Sequence, residues 1–287
     1  MSMNVFEETK EFFSTVNLPD FILCLTGSLL FGYWLLRTSL GTRALEDSRP
    51  RRNKMPLFLP FLLMFLSYFS VALGGSIASW LMGDFHDSQG VILDNFVICI
   101  TGLAVVVMII FSVRPFFARR LKGFGLNIRT IPKDIPAAFV NLLTIWPLIM
   151  AAAMLTLYVG HFLYGPDFKM QRHEGLEALS QNPQLPPRIL ITIVAVIVAP
   201  MLEELIFRGL FQTMIRSFLK VKNVAWLAIA ISSALFVLMH MDKSHWPALY
   251  VLGVGMGYAY EKSGSLFRPI FMHMLFNAAS IISVWFQ

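Results

Sequence analysis

Long unbroken apolar runs dominate this chain, and their length carries the first prediction. They fall at Phe21 to Leu36, Leu57 to Met82, Val91 to Val113, Ala137 to Val159, Ile189 to Leu210, Val224 to Met239, Trp246 to Tyr260 and Phe267 to Trp285. Runs of about 20 residues span a hydrocarbon core of about 30 Å when wound as α-helix. The pattern therefore predicts an all-α fold, a polytopic transmembrane helix bundle of about eight spans. The strands of a barrel would alternate apolar and polar positions, which these runs do not do. The seventh run is short and the fifth contains two carboxylates, so seven and eight spans both fit.

Composition agrees: of 287 residues 56% are hydrophobic and 14% charged, with a mean hydropathy of +0.66. Soluble domains carry nearer one quarter charged residues. The expected location is thus an integral, multi-pass position in a bacterial-type cell membrane. The net charge of +6 is spread over loops and forms no nucleic-acid-binding module, so no nucleic-acid partner is expected. Arg37, Arg43, Arg49, Arg51, Arg52 and Lys54 follow the first span; Arg114, Arg119, Arg120, Lys122, Arg129 and Lys133 follow the third. Arg216, Lys220 and Lys222 follow the fifth, and Lys262 and Arg268 the seventh. The connection after the second span holds Asp84, Asp87 and Asp94 without a Lys or Arg, and the N-terminal stretch carries Glu7, Glu8, Glu11 and Asp20 against Lys10. The positive-inside rule then puts the basic loops in the cytoplasm and both termini outside. The acidic N-terminus lacks the basic leader of a cleaved signal peptide, so the first span is expected to be retained. Cys24 and Cys99, in apolar spans without a CxxC pattern, read as small core residues rather than a disulfide framework.

Gly74-Gly75 with Ser76, Ala78 and Ser79 suits close helix approach, and Asp94 with Asn95 suits a helix start. From Arg114 to Pro136 the chain is basic, broken by Gly and Pro, and carries Phe116, Phe117 and Phe124. It could lie on the cytoplasmic face of the bilayer or serve as a plain linker. The polar loop Gly160 to Arg188 reads as a solvated connector, its His173-Glu174 pair lacking a second His at i+4. It divides residues 1-187, a scaffold of four spans and this loop, from residues 188-287, which hold every ionisable residue expected deep in the membrane.

Those deep residues carry the chemistry. Pro200 precedes Glu203 and Glu204 and should bend its helix, freeing the Val196 carbonyl four residues earlier. Glu204 and Arg208 are i and i+4 and can pair, which leaves Glu203 about 100° round the helix. His240 ends the sixth run, and His273 and Asn277, again i and i+4, face one space. Ionisable groups at such depth are costly and mark function. In a pocket they suit addition of water to an acyl carbon: Glu203 takes a proton from water, His240 holds or polarises that water, and His273 and Asn277 donate to the oxyanion. Glu204 and Arg208 support the site as an ion pair. Two other readings stay open at this point: acids and histidines of a proton-coupled transporter, and a zinc site built from Glu203, His240 and His273, though HExxH is absent. Gly253 and Gly257 form GxxxG, read as simple packing.

Glu203-Glu204-x-x-x-Arg208, Phe236-x-x-x-His240 and His273-x-x-x-Asn277, in this order and followed through a Gly-Ser-Leu and Pro269-Ile270 lead-in to the last motif, resemble the CPBP (Abi) intramembrane protease family, which includes the Rce-type CAAX prenyl endopeptidases. The resemblance covers roughly Arg188 to Gln287. It implies an endopeptidase acting on a membrane protein or lipidated peptide, with Glu203 activating water, His240 as its partner and His273 and Asn277 as oxyanion donors. It implies no firmly bound metal, although some members are labelled metalloproteases, and other relatives serve as non-catalytic scaffolds or immunity proteins. One expectation conflicts with a shared site: His240 should sit about 24 Å along its span, far from the cytoplasmic third where Glu203 and His273 fall.

Overall fold

The computed structural model describes residues 18–82, 88–170 and 174–285. The acidic N-terminal residues Glu7, Glu8 and Glu11, the loop acids Asp84 and Asp87, and His173 lie outside them. The described residues form an all-α bundle: α1 (Leu18–Arg37), α2 (Leu59–Met82), α3 (Ser88–Val113), α4 (Ile131–Tyr164), α5 (Glu174–Gln181), α6 (Leu185–Phe218), α7 (Val224–Leu238), α8 (Trp246–Ser263) and α9 (Phe267–Trp285). Every expected span coincides with one of these helices. Five of them, α1 to α4 and α6, are long and apolar enough to cross a bilayer, whereas α7 and α9 are shorter apolar helices. The chain is a multi-pass integral membrane protein. Outward-facing Phe21, Phe61, Phe65, Phe69 and Trp80 are exposed in the bundle and suited to lipid contact, as expected where the surrounding solvent is hydrocarbon.

The helix bearing the acid pair is the centre of the bundle. Helix α6 is packed by α2, α3, α7, α8 and α9, and Leu205 to Gln212 are buried on every face. Helix α4 forms a second spine, packing against α1, α8 and α9. The two halves read from the sequence are therefore in direct contact, with α3 and α4 lying against the helices that carry the ionisable residues.

Two connections differ from their sequence reading. The segment between α3 and α4 is more than a plain linker, because Phe117 and Phe124 are buried in the main core. Gly125, at φ +110, turns the chain so that its carbonyl accepts from Leu266 N–H at 3.0 Å, and Tyr260 Oη donates to the Phe124 carbonyl at 3.0 Å. The Gly160 to Arg188 loop is likewise more than a connector, since α5 buries Leu179 against Ile191, Ile281 and Val284. Apolar aromatic and aliphatic side chains in a polar stretch had a core to join, and burying each is worth about 1.5–3 kcal/mol.

The Phe124 ring fits because position 209 has no side chain. A Cβ at Gly209 would lie 2.5 Å from that ring. Gly209→Ala is expected to cost about 1–3 kcal/mol by overpacking, read as a lower melting temperature in detergent; an unchanged value would mean that the ring can yield. At the far edge of the same segment, Asp134 of α4 accepts from Arg268 Nε and Nη2 of α9 at 3.1 and 3.0 Å. Asp134 is only 1% exposed, so Arg268 is a structural ion-pair partner.

Candidate active site

Helix α6 does not bend simply at Pro200; it changes register. Val194–Val198 and Leu205–Gln212 are π-helical, and the Ala199 N–H reaches back five residues to the Val194 carbonyl. Such widened turns recur at functional sites. In this register the N–H that Pro200 lacks would have met the carbonyl of Ala195, not Val196 as helical i−4 counting expects. The Ala195 carbonyl instead accepts from Asn277 Nδ2 at 2.8 Å. Asn277 thus repairs the backbone beside the acids with one of its two N–H groups. Asn277→Ala should leave that carbonyl unsatisfied and cost about 1–3 kcal/mol, seen as a lower melting temperature; unchanged stability would show that the carbonyl finds another partner.

One turn earlier on α9, His273 meets both carboxylates. Its Nδ1 lies 3.1 Å from Glu204 Oε1 and its Nε2 lies 3.8 Å from Glu203 Oε2. The Glu204 oxygen also accepts from Arg208 Nη1 at 2.6 Å, with both side chains fully buried. An ionised carboxylate only accepts hydrogen bonds, so Nδ1 carries the proton and Nε2 turns towards Glu203. Carboxylate orientation of an imidazole through its far nitrogen is the arrangement that fixes a histidine tautomer in hydrolytic sites. Glu204 is therefore more than half of an ion pair: it holds His273.

His240 enters the cluster through Phe236. The Phe236 ring is edge-on to His240 at 4.7 Å and to His273 at 5.6 Å between centroids, and Arg208 Cζ stands 4.7 Å from its centre. His240 Nδ1 donates to the Phe236 carbonyl at 2.8 Å, which leaves Nε2 as the acceptor of a neutral ring. The depth conflict narrows at this ring, where His240 meets His273. His240 sits about 24 Å from the start of α7 and His273 about 9 Å from the start of α9, yet both pack on one ring, so the two helices are offset or inclined relative to each other.

A polar ladder fixes α6 against α8. Arg208 Nη2 donates to the Gly253 carbonyl at 3.1 Å, Gln212 Nε2 to the Gly257 carbonyl at 3.0 Å, and Arg216 Nε to Glu261 Oε1 at 2.9 Å. Both helices contribute at i, i+4 and i+8. The glycines of the GxxxG pattern do more than pack: they open the α8 backbone to long polar side chains. A Cβ on Gly253 would lie 3.0 Å from Ser233 of α7. Sequence reading missed Gln212, Glu261 and the role of Phe236, though the matched four-residue spacing was there to find.

The two acids differ in access. Glu204 is sealed, while the Glu203 side chain keeps 26% exposure and borders a cavity of about 150 Å³ between α2, α3 and α6. Tyr68 of α2 and Gly102 of α3 form its opposite wall. His273 thus meets both acids, His240 reaches it only across Phe236, and Asn277 is bonded to the α6 backbone, with Glu203 the carboxylate that borders the cavity. A zinc set of Glu203, His240 and His273 does not fit this arrangement. Among the described residues no three His, Cys, Asp or Glu side chains converge on a metal position.

Comparison with known proteins bears on what such a site does. Residues 185–279 match the family model described as type II CAAX prenyl endopeptidase Rce1-like. The chain is 30% identical over 128 residues to the "Uncharacterized 24.3 kDa protein" of Escherichia coli, covering 44% of this chain and 58% of that protein. It is 27% identical over 168 residues to the "Putative membrane peptidase YdiL" of Bacillus subtilis, covering 55% of this chain and 64% of that protein. The chain thus spans less than two thirds of either relative. No solved structure gives a significant match.

Proposed function

We propose that this chain, a member of the CPBP/CAAX protease family through residues 185–279, is an intramembrane endopeptidase that cleaves a membrane protein or lipidated peptide by Glu203-activated water. The observation that carries the reading is the unequal treatment of two adjacent acids around one imidazole. Glu204 and Arg208 are locked into the fold and orient His273, whereas Glu203 alone faces the cavity.

In this mechanism a water lies between Glu203 Oε2 and His273 Nε2. Glu203 takes its proton as the water oxygen bonds to the scissile carbonyl carbon. The carbonyl oxygen, now an oxyanion, accepts from the second N–H of Asn277, while His273 Nε2, unprotonated in this tautomer, accepts the other hydrogen of the attacking water. Collapse breaks the C–N bond, and the proton held by Glu203 passes to the departing amine. His240 borders the cluster across Phe236 and positions water through its Nε2. No step requires a metal ion.

The test is a comparison of new peptide N-termini in membranes from cells carrying the wild-type chain or Glu203→Gln at equal abundance. Termini that vanish in the variant support the protease and identify its substrates. If none differ while both proteins are folded and present, the protease reading fails, and proton-coupled transport in sealed vesicles becomes the next measurement.

A further inference from the structure

A large, mostly apolar cavity lies away from the acids. It is about 970 Å³ and sits between α1, α4 and α8, against the loop that follows α1. On α8 its wall is the stripe Val251, Gly255, Tyr258 and Lys262, at i, i+4, i+7 and i+11. That stripe is on the far side of α8 from Gly253, Gly257 and Glu261, which face α6. The cavity is therefore separate from the catalytic cluster.

Its polarity is graded along its length. The deep end is aliphatic, with Leu30, Leu148 and Val251. The middle is aromatic: Trp34 stacks on Phe31, Trp226 stacks on Tyr258, and Trp34 Nε1 donates to Tyr258 Oη at 2.9 Å. The mouth holds the cations Arg37, Arg43 and Lys262 with the acids Glu46 and Asp47. Lys262 Nζ donates to the Ala44 carbonyl at 3.0 Å and so pins the loop that forms the rim. Arg43 and Glu46 approach only to 4.0 Å, and both are solvent-facing, which leaves the arginine able to serve another anion.

Length and sidedness select the occupant. From Val251 to Lys262 the stripe rises about 16 Å at 1.5 Å per residue, the depth of one leaflet of a core about 30 Å thick. By the positive-inside rule the mouth with Arg37, Arg43 and Lys262 is cytoplasmic, the side where anionic lipid headgroups attract basic residues. Aromatic side chains at the boundary are what such a level favours.

We propose that this cavity is a binding site for one anionic phospholipid of the cytoplasmic leaflet, its phosphate at Arg37 and Arg43 and its acyl chains along α1, α4 and α8. The site is independent of the protease reading and would stand if that reading failed.

The experiment is native mass spectrometry of the full chain released from detergent, titrated separately with dioleoyl phosphatidylglycerol, phosphatidylethanolamine and phosphatidylcholine. The first lipid bound should be phosphatidylglycerol in preference to both others. Arg37→Gln/Arg43→Gln, at two exposed positions, should weaken that first event by roughly fivefold per charge removed. Arg119→Gln/Arg129→Gln, exposed cytoplasmic arginines outside the cavity, should leave it unchanged. Equal binding of the three lipids, or equal loss in both variant pairs, overturns the site.

Discussion

Glu203→Gln is expected to lower peptide hydrolysis by about 10²- to 10⁴-fold, the usual contribution of a positioned general base. Glutamine keeps the shape of the side chain and its acceptor oxygen but cannot take a proton from water. The fold should not notice. Glu203 is partly exposed, it lies 3.8 Å from His273 Nε2, and Arg208 is neutralised by the other acid. The melting temperature should therefore stay close to that of the wild-type chain while turnover falls. Glu204→Gln is the informative companion, because it weakens the charge that balances buried Arg208 and the group that orients His273, so stability and activity should fall together. Full turnover by Glu203→Gln would remove this residue from the reaction.

Arg208→Ala should be the most destabilising single change in the site, by about 3–5 kcal/mol, the cost of leaving one member of a buried pair without its partner. The estimate is large against a typical total stability of about 5–15 kcal/mol. Arg208 is fully buried and donates both to Glu204 and to the Gly253 carbonyl, with Phe236 against its guanidinium. Alanine would strand the Glu204 carboxylate, open the α6–α8 seam and release His273 from its orienting partner. Arg208→Lys keeps the charge but not the planar fork, so it cannot serve Glu204 and Gly253 in the same way. An intermediate loss is expected. The measurement is thermal unfolding in detergent alongside the fraction of protein recovered from membranes. A wild-type melting temperature for Arg208→Ala would show that Glu204 is compensated by some other group.

Much of this site could be read from spacing alone. The i and i+4 relation of Glu204 with Arg208 is realised as a 2.6 Å contact, and that of His273 with Asn277 as two side chains directed at α6. Spacing did not reveal that both acids address a single imidazole. Adjacent residues on an ideal helix point about 100° apart, and His273 bridges the gap by using both ring nitrogens. Nor did it reveal the target of Asn277: counting four residues back from Pro200 reaches Val196, whereas the widened turn moves the orphaned acceptor to Ala195.

What the sequence determined by itself is the solvent, the helices and the ionisable residues too costly to be accidental. Apolar run length, basic-loop asymmetry and buried charge are local properties, each decided by the transfer of a short segment into hydrocarbon. Only the tertiary structure decided which of those residues share a site. It buried Phe124 against Gly209, offset α7 from α9 so that His240 and His273 meet at Phe236, and turned Glu203 rather than Glu204 towards the cavity. Such outcomes depend on helix register, tilt and close approach between elements far apart in the chain, and no one-dimensional pattern carries those distances.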